Sequence, residues 1–366
     1  MSTAVRSIFG PYAQNLQLVV NTAADRFAPQ WFTKYFTWAP AQVALTYVSA
    51  IGRSRVEAAA SVVARNSKTP LRSRMPLEKL NGEIPAMREM FELRESDYRD
   101  YLTLQGLTGV DDATKRNQIL DMMFGDIKKV ADAPMFRLDI MCLQALSEGK
   151  ISINLTNNPD GIVMNDVDLL MPVENKVNAA STWATAASAT PITDINTVIN
   201  AAQAKGVGFA KMLMSRNLFM KFIKAKEVVD TLTAFYYGPK PGGGLNPVGI
   251  TTISSVNEYL NAVGFPIIEL VDEVRSVEKD GKLQSITPFN QNNVSFVPAG
   301  TLGTIKNALA LEQLKPVQQI SYATQNRVLI SKWSQNEPFA EWTKGELNAF
   351  PSLEAIDSIF ILTAVY

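Results

Sequence analysis

Histidine is absent from the 366 residues and cysteine occurs once, at Cys142. Without imidazole there is no Ser-His-Asp or Cys-His nucleophile and no histidine metal site, and a lone thiol makes neither a zinc cluster nor an intramolecular disulfide. Cys142 falls inside a helical pattern and reads as a buried apolar thiol. No apolar run reaches the ~18 residues of a membrane-spanning helix, and the opening MSTAVRSIFGPYAQ lacks a signal-peptide core. These absences predict a soluble chain made in a reducing cytoplasm, with no histidine- or cysteine-based catalytic or metal site. Net charge is missing too: 35 basic side chains balance 35 acidic ones, so the total does not mark a nucleic-acid binder.

What is present is a large apolar fraction, 46% hydrophobic against 19% charged, enough for a sizeable core in two or three subdomains. The charge is unevenly spread. Up to Arg74 the chain carries Arg6, Arg26, Lys34, Arg53, Arg55, Arg65, Lys68, Arg72 and Arg74 against Asp25 and Glu57 alone. A basic front and an acidic back suit head-to-tail contacts between copies.

The longest periodic element runs from Asp111 to Leu155. Ile119, Met122, Met123 and Ile127 form one apolar stripe and Phe136, Ile140, Leu143 and Leu146 another. At 1.5 Å per residue its helical part spans roughly 50 Å. Pro134 separates the stripes, and its missing N–H predicts a kink or restart with Asp132 as N-cap. Ser147-Glu148-Gly149-Lys150 then turns the helix into the strand ISINL, and GIVMNDVDLLMP reads as a second strand.

Ahead of this element, Trp31, Phe32, Phe36 and Trp38 crowd between Pro29 and Pro40. They suit either the core of their own domain or an arm lying on a neighbouring copy. From Arg53 to Pro85 the chain is basic and broken by Pro70, Pro76 and Pro85, which predicts a long hairpin-like excursion. Nucleic-acid binding there would call for stacking aromatics among the charges, which the stretch lacks. Met87 to Leu104 mixes charges of both signs, as an exposed helix or extended connector does.

From Asn178 onward helix and strand alternate: INTVINAAQAKG capped by Thr193-Asp194, FAKMLMS, a helix with Asn217 near its start, TTISSVNEYLNAVG, FPIIELVDE, an Asp280-Gly281 hairpin and NNVSFVPAG. GPKPGGGLNPVG has no phosphate-binding arrangement and reads as a loop. Asp166 and Asp168 are an isolated carboxylate pair, the pattern of a solvated face. The apolar end, Ile359 to Val365, must pair with an earlier sheet to satisfy its backbone.

TYVSAIG, ALSEGKISI, FAKMLMSRNLFMKFIKAKEVVDTL and NEPFAEWTKGELNAFPSLEAIDSIFILTAV, in that order, resemble the lambda-like major capsid protein E family of tailed bacteriophages. The resemblance covers the chain from about Thr46 onward. It implies an α+β fold of the Hong-Kong-ninety-seven type. By this likeness residues 1–50 would be an N-terminal arm, 51–86 an extended E-loop, 87–177 a peripheral domain with a spine helix, 178–325 an axial domain, and 326–366 a return to the peripheral domain. The implied function is a structural shell protein, with no enzymatic activity and no cofactor, that self-assembles as hexamers and pentamers into an icosahedral virion head. An encapsulin-like cargo shell of the same fold is the alternative. Implied partners are a separate scaffolding protein, a portal, possible decoration protein and packaged double-stranded DNA touched without sequence specificity. Assembly is expected in the bacterial host cytoplasm. The family's lysine–asparagine cross-link does not transfer, because no acceptor for Lys68 is identifiable. The candidate contacts between copies are Arg53, Arg55, Arg65, Lys68, Arg72 and Arg74 in the loop and Trp31, Phe32, Phe36 and Trp38 in the arm.

Overall fold

The computed structural model describes residues 16–22, 24–51, 78–106, 112–159, 161–238, 252–337 and 339–366. The chain forms two units: Met1–Tyr47, Gly82–Asp139 and Ile305–Pro351 in the first, Val48–Asn81, Ile140–Thr304 and Ser352–Tyr366 in the second.

A six-stranded sheet organises the first unit. Its path is β1 (Phe36–Gln42), β13 (Gly303–Ala308), β16 (Phe339–Ser352), β15 (Val328–Asn336) and β14 (Ser321–Gln325), with β4 (Ala86–Arg94) also on β16. The mixed-charge stretch after Pro85 is therefore a strand first, followed by helix α2 (Glu95–Gly106). Helices α1 (Leu16–Thr22) and α3 (Asp112–Glu148) cover one face. Phe124, Ile127, Val130 and Ala131 recur at helical spacing and close a core with Leu16, Val20, Ala323 and Ile330.

Pro134 corrects the expected break. Helix α3 runs through it for 37 residues, about 55 Å of helix. Asp132 is no N-cap: its carboxylate accepts the Ala28 N–H at 3.2 Å and pairs with Lys128. A proline at 134 leaves the Val130 carbonyl without its usual helical donor. That carbonyl faces Gly345 of β16, where an added Cβ would sit 1.9 Å from the oxygen. The helix tolerates its proline where a side-chain-free strand position accepts the freed carbonyl.

The second unit holds a mixed five-stranded sheet in the order β7 (Lys176–Asn178), β17 (Phe360–Thr363), β12 (Asn293–Val297), β8 (Lys211–Met214) and β9 (Ile267–Leu270). Helices α4 (Pro191–Ala204), α5 (Arg216–Phe222), α6 (Lys226–Tyr237) and α7 (Ile253–Val263) belong to the same unit. Its core includes Trp183, Met212, Phe222, Phe296 and Phe360. Here the expected C-terminal return divides: β15 and β16 join the first unit's sheet, whereas β17 pairs with β12 and with β7. Asn175 fixes that last strand by donating to the carbonyls of Asp357 and Ile359 while accepting from Lys205.

Local signals also resolve differently from expectation at two helix starts. Thr193-Asp194 do not cap α4, because Asp194 accepts the Ala180 N–H and the Trp183 indole N–H while Glu227 takes the N–H groups of Ile192 and Thr193. The helix expected near Asn217 is two helices, and Ser215 caps the first by accepting from Leu218. Asp280 and Gly281, both at positive φ, close the two-residue turn between β10 (Arg275–Lys279) and β11 (Lys282–Ile286) as expected.

Gly149, at φ +69°, ends α3. Two of the helix's last carbonyls are satisfied by β12: Ser295 donates to Leu146 O at 2.7 Å and Asn293 to Ser147 O at 2.8 Å. The chain then enters the hairpin of β5 (Lys150–Ile153) and β6 (Met164–Asp168). The remaining pair, β2 (Thr46–Ile51) and β3 (Glu78–Glu83), frames the basic excursion.

Candidate assembly surfaces

The six cations proposed from sequence, Arg53, Arg55, Arg65, Lys68, Arg72 and Arg74, lie outside the described residues. The strands on either side of that stretch in sequence, β2 and β3, are described. Tyr47 of β2 stacks on Phe350 with centroids 5.4 Å apart. Gly82 of β3 sits where any Cβ would come within 2.7 Å of the Tyr47 hydroxyl, so the ring has room only because position 82 has no side chain. Burial pushes the Tyr47 phenol well above its usual range.

The arm aromatics divide. Trp31, Phe32 and Phe36 are buried in the first unit itself, the first of the two roles open to them. Trp38 is half-buried, edge-on to Phe32, with the Arg327 guanidinium 5.1 Å above its ring. Two carboxylates of α3, seven residues and so about two helical turns apart, hold this segment by its backbone: Asp132 takes the N–H of Ala28 and Asp139, fully buried, that of Phe32 at 2.9 Å. Sequence reading missed this pair, although two aspartates on the apolar side of a helix are a visible signal of buried polar duty. At the sheet edge, the Gln17 carboxamide donates to Thr324 O and accepts from Thr324 N–H, pairing the open backbone of β14 as a further strand would.

Across β4 and β16 runs a charge network. Arg88 pairs with Glu346 at 2.9 Å, and Lys344 bridges Glu346 and Glu312 of helix α8 (Leu311–Leu314) at 2.9 and 2.8 Å. The Lys344 hydrogen bond is the main cause holding the Glu312 carboxyl below its ordinary 4.5. Burial acts to lower Lys344, but its bonds to the two glutamates outweigh that and raise it above 10.5. Glu312 therefore contributes stability in full above its ordinary range and loses it as pH falls through its depressed folded value. Lys344 contributes below 10.5 and loses its share as pH rises through its raised one. A Lys344→Met variant should be less stable than the wild type across neutral pH, with the gap closing below about pH 4.5. Melting curves recorded from pH 3 to 8 check this, and a gap independent of pH contradicts it.

Asp166, paired with Lys150 and accepting from Ser152 across the β5–β6 hairpin, is exposed and salt-bridged as a solvated face would be. Cys142 is fully buried. Among the described residues no group of three or more carboxylates or thiols is placed to hold a metal, and no helix is long and apolar enough to cross a membrane.

The family model described as phage major capsid protein E matches residues 14–364. No curated protein matches the sequence. Among solved structures, a protein described as a prophage capsid protein from E. coli CFT073 is 15% identical with a TM-score of 0.58, covering 97% of this chain and 99% of its own. A phage-related protein from Bordetella bronchiseptica RB50 is 12% identical at a TM-score of 0.49, covering 95% and 96%. An encapsulin complex from Synechococcus elongatus PCC 7942 is 11% identical at 0.41, covering 93% and 89%. At such identities the likeness concerns fold alone, and the structural argument rests on the first, whose α+β architecture of the Hong-Kong-ninety-seven type this chain shares.

Proposed function

The chain belongs to the phage major capsid protein E family, and from that premise we propose how this shell subunit of the virion head associates with its copies. The observation that carries the reading is the family match across residues 14–364. Its role is structural, not enzymatic. Copies assemble as hexamers and pentamers into a closed icosahedral head around double-stranded DNA, which the inner surface touches without sequence preference. Residues 1–50 act as the arm, 51–86 as the loop reaching over a neighbour, 87–177 and part of 326–366 as the peripheral domain and 178–325 as the axial domain. Assembly takes place in the bacterial cytoplasm with a separate scaffolding protein and a portal, and a decoration protein is a further candidate partner.

The loop cations Arg53, Arg55, Arg65, Lys68, Arg72 and Arg74 are proposed to meet acidic surface on the next copy. Trp31, Phe32 and Phe36 are buried in the first unit, and of these four arm rings Trp38, half-buried, has the most surface left for a neighbour. Weak pairwise contacts suffice, because each copy meets several neighbours and the lattice multiplies them. Reversing both Arg72 and Arg74 to glutamate should abolish shells while leaving a soluble, folded subunit. Normal particles from that double variant would refute the loop assignment.

A further inference from the structure

The β5–β6 hairpin ends in an apolar knob that folding alone does not explain. Leu155, Ile162 and Val163 are 63%, 67% and 57% exposed, while the loop carrying them is tied by its asparagines. Asn157 donates to Ser152 O at 2.8 Å and accepts from Asn154 N–H, Asn154 accepts from Thr156 N–H, and Asn158 donates to Ile162 O at 2.9 Å. A loop held this way cannot turn its aliphatic side chains inward, so water covers them in the isolated subunit. The ordering that binding normally costs is already met.

The same unit offers a matching hollow. An open groove of about 440 Å³ lies between α5, the start of α7 and the end of β9, lined by Met220, Ile223, Ile253 and Leu270 together with Arg216 and Lys224. A cavity of roughly 150 Å³ takes a benzene-sized group, so this one has room for two or three aliphatic side chains. Charge agrees in sign. Around Lys150 at the hairpin's base stand the carboxylates of Glu148, Asp166 and Asp168, an excess of negative charge behind an apolar tip. The charged side chains at the groove are Arg216, offset by its ion pair with Asp272, and Lys224, which leaves one net positive charge.

We propose that the hairpin tip, Leu155, Ile162 and Val163, seats in the groove lined by Met220, Ile223, Ile253 and Leu270 of a second copy of this chain. Knob and groove are different surfaces of one unit, and a contact that is not returned within the same pair of copies is heterologous. It passes head to tail from copy to copy and generates a ring when the rotation closes. The proposal rests on the shell-subunit reading, which supplies the second copy as the occupant.

Cysteine cross-linking tests it on the full chain, since Cys142 is the one native cysteine and is buried. Ile162→Cys and Met220→Cys variants are mixed, assembled and oxidised. A covalent dimer from the mixture, with neither variant alone giving one, is the expected result. Particles that form from the mixture without a dimer overturn the contact. An Ile162→Asp variant is the second arm: loss of rings and shells with an unchanged melting temperature supports the contact, and normal particles overturn it. Failure of the wild type to form particles would count against the shell reading itself, and the dimer assay at high protein concentration still decides the hairpin contact.

Discussion

Gly345→Ala is expected to destabilise the first unit by about 3 kcal/mol or more, because among the described glycines it is the one whose added Cβ comes nearest to another atom. The reason is the atom it meets. The new Cβ would lie 1.9 Å from the Val130 carbonyl oxygen and 2.7 Å from its carbon, and a helix backbone cannot rotate away as a side chain does. Relief requires moving α3 off the sheet, which opens the core of Phe124, Ile127, Val130 and Ile330. Gly125, on the same helix, has nothing within 4 Å of the Cβ position. Alanine there should be neutral or stabilise by up to about 1 kcal/mol. Urea unfolding of both variants checks this: an alanine at 345 that costs no more than the one at 125 would show that contact with the freed carbonyl does not govern the site.

The second large effect lies on the same face of the sheet, at Glu341 of β16, four residues from Gly345, and its partner on β15. Lys332 and Glu341 form an ion pair at 2.8 Å with side chains only 6% and 1% exposed, on the sheet face that α3 covers. Removing one charge strands the other away from water, so Lys332→Met is expected to cost about 3–5 kcal/mol. Glu341→Leu should cost a similar amount. The double variant should recover most of the loss, because two apolar side chains replace two desolvated charges whose attraction roughly offsets their dehydration. Both groups have further partners, so recovery is expected to stop short of complete. A double-mutant cycle with a coupling energy below about 0.5 kcal/mol would contradict this account.

These two sites mark where sequence reading reached its limit. Signals that act over a few residues were legible: Asp280-Gly281 closes a hairpin, Gly149 ends the long helix, and Gly206, at positive φ, follows α4. Signals that need a distant partner were not. Pro134 predicts a break from local chemistry alone, and only Gly345, more than two hundred residues later, shows why the helix continues. Asp132 and Asp194 looked like helix caps because aspartate at a helix start usually is one, yet each satisfies backbone N–H groups of an earlier segment. The last strand had to pair somewhere, but the choice of sheet depends on Asn175 and β12, and nothing within Ile359–Val365 encodes it. For the assembly surfaces, the arm aromatics carried two readings in sequence, and three of them are buried in the first unit. The hairpin knob and its groove were invisible, because exposure of Leu155 or Ile162 is a property of the folded surface.

The central claim is that this chain is a shell subunit, and negative-stain electron microscopy of the purified protein over a range of salt concentrations tests it most directly. Closed particles of uniform size, or the rings from which they are built, are the predicted result; monomers alone at every salt concentration would contradict it.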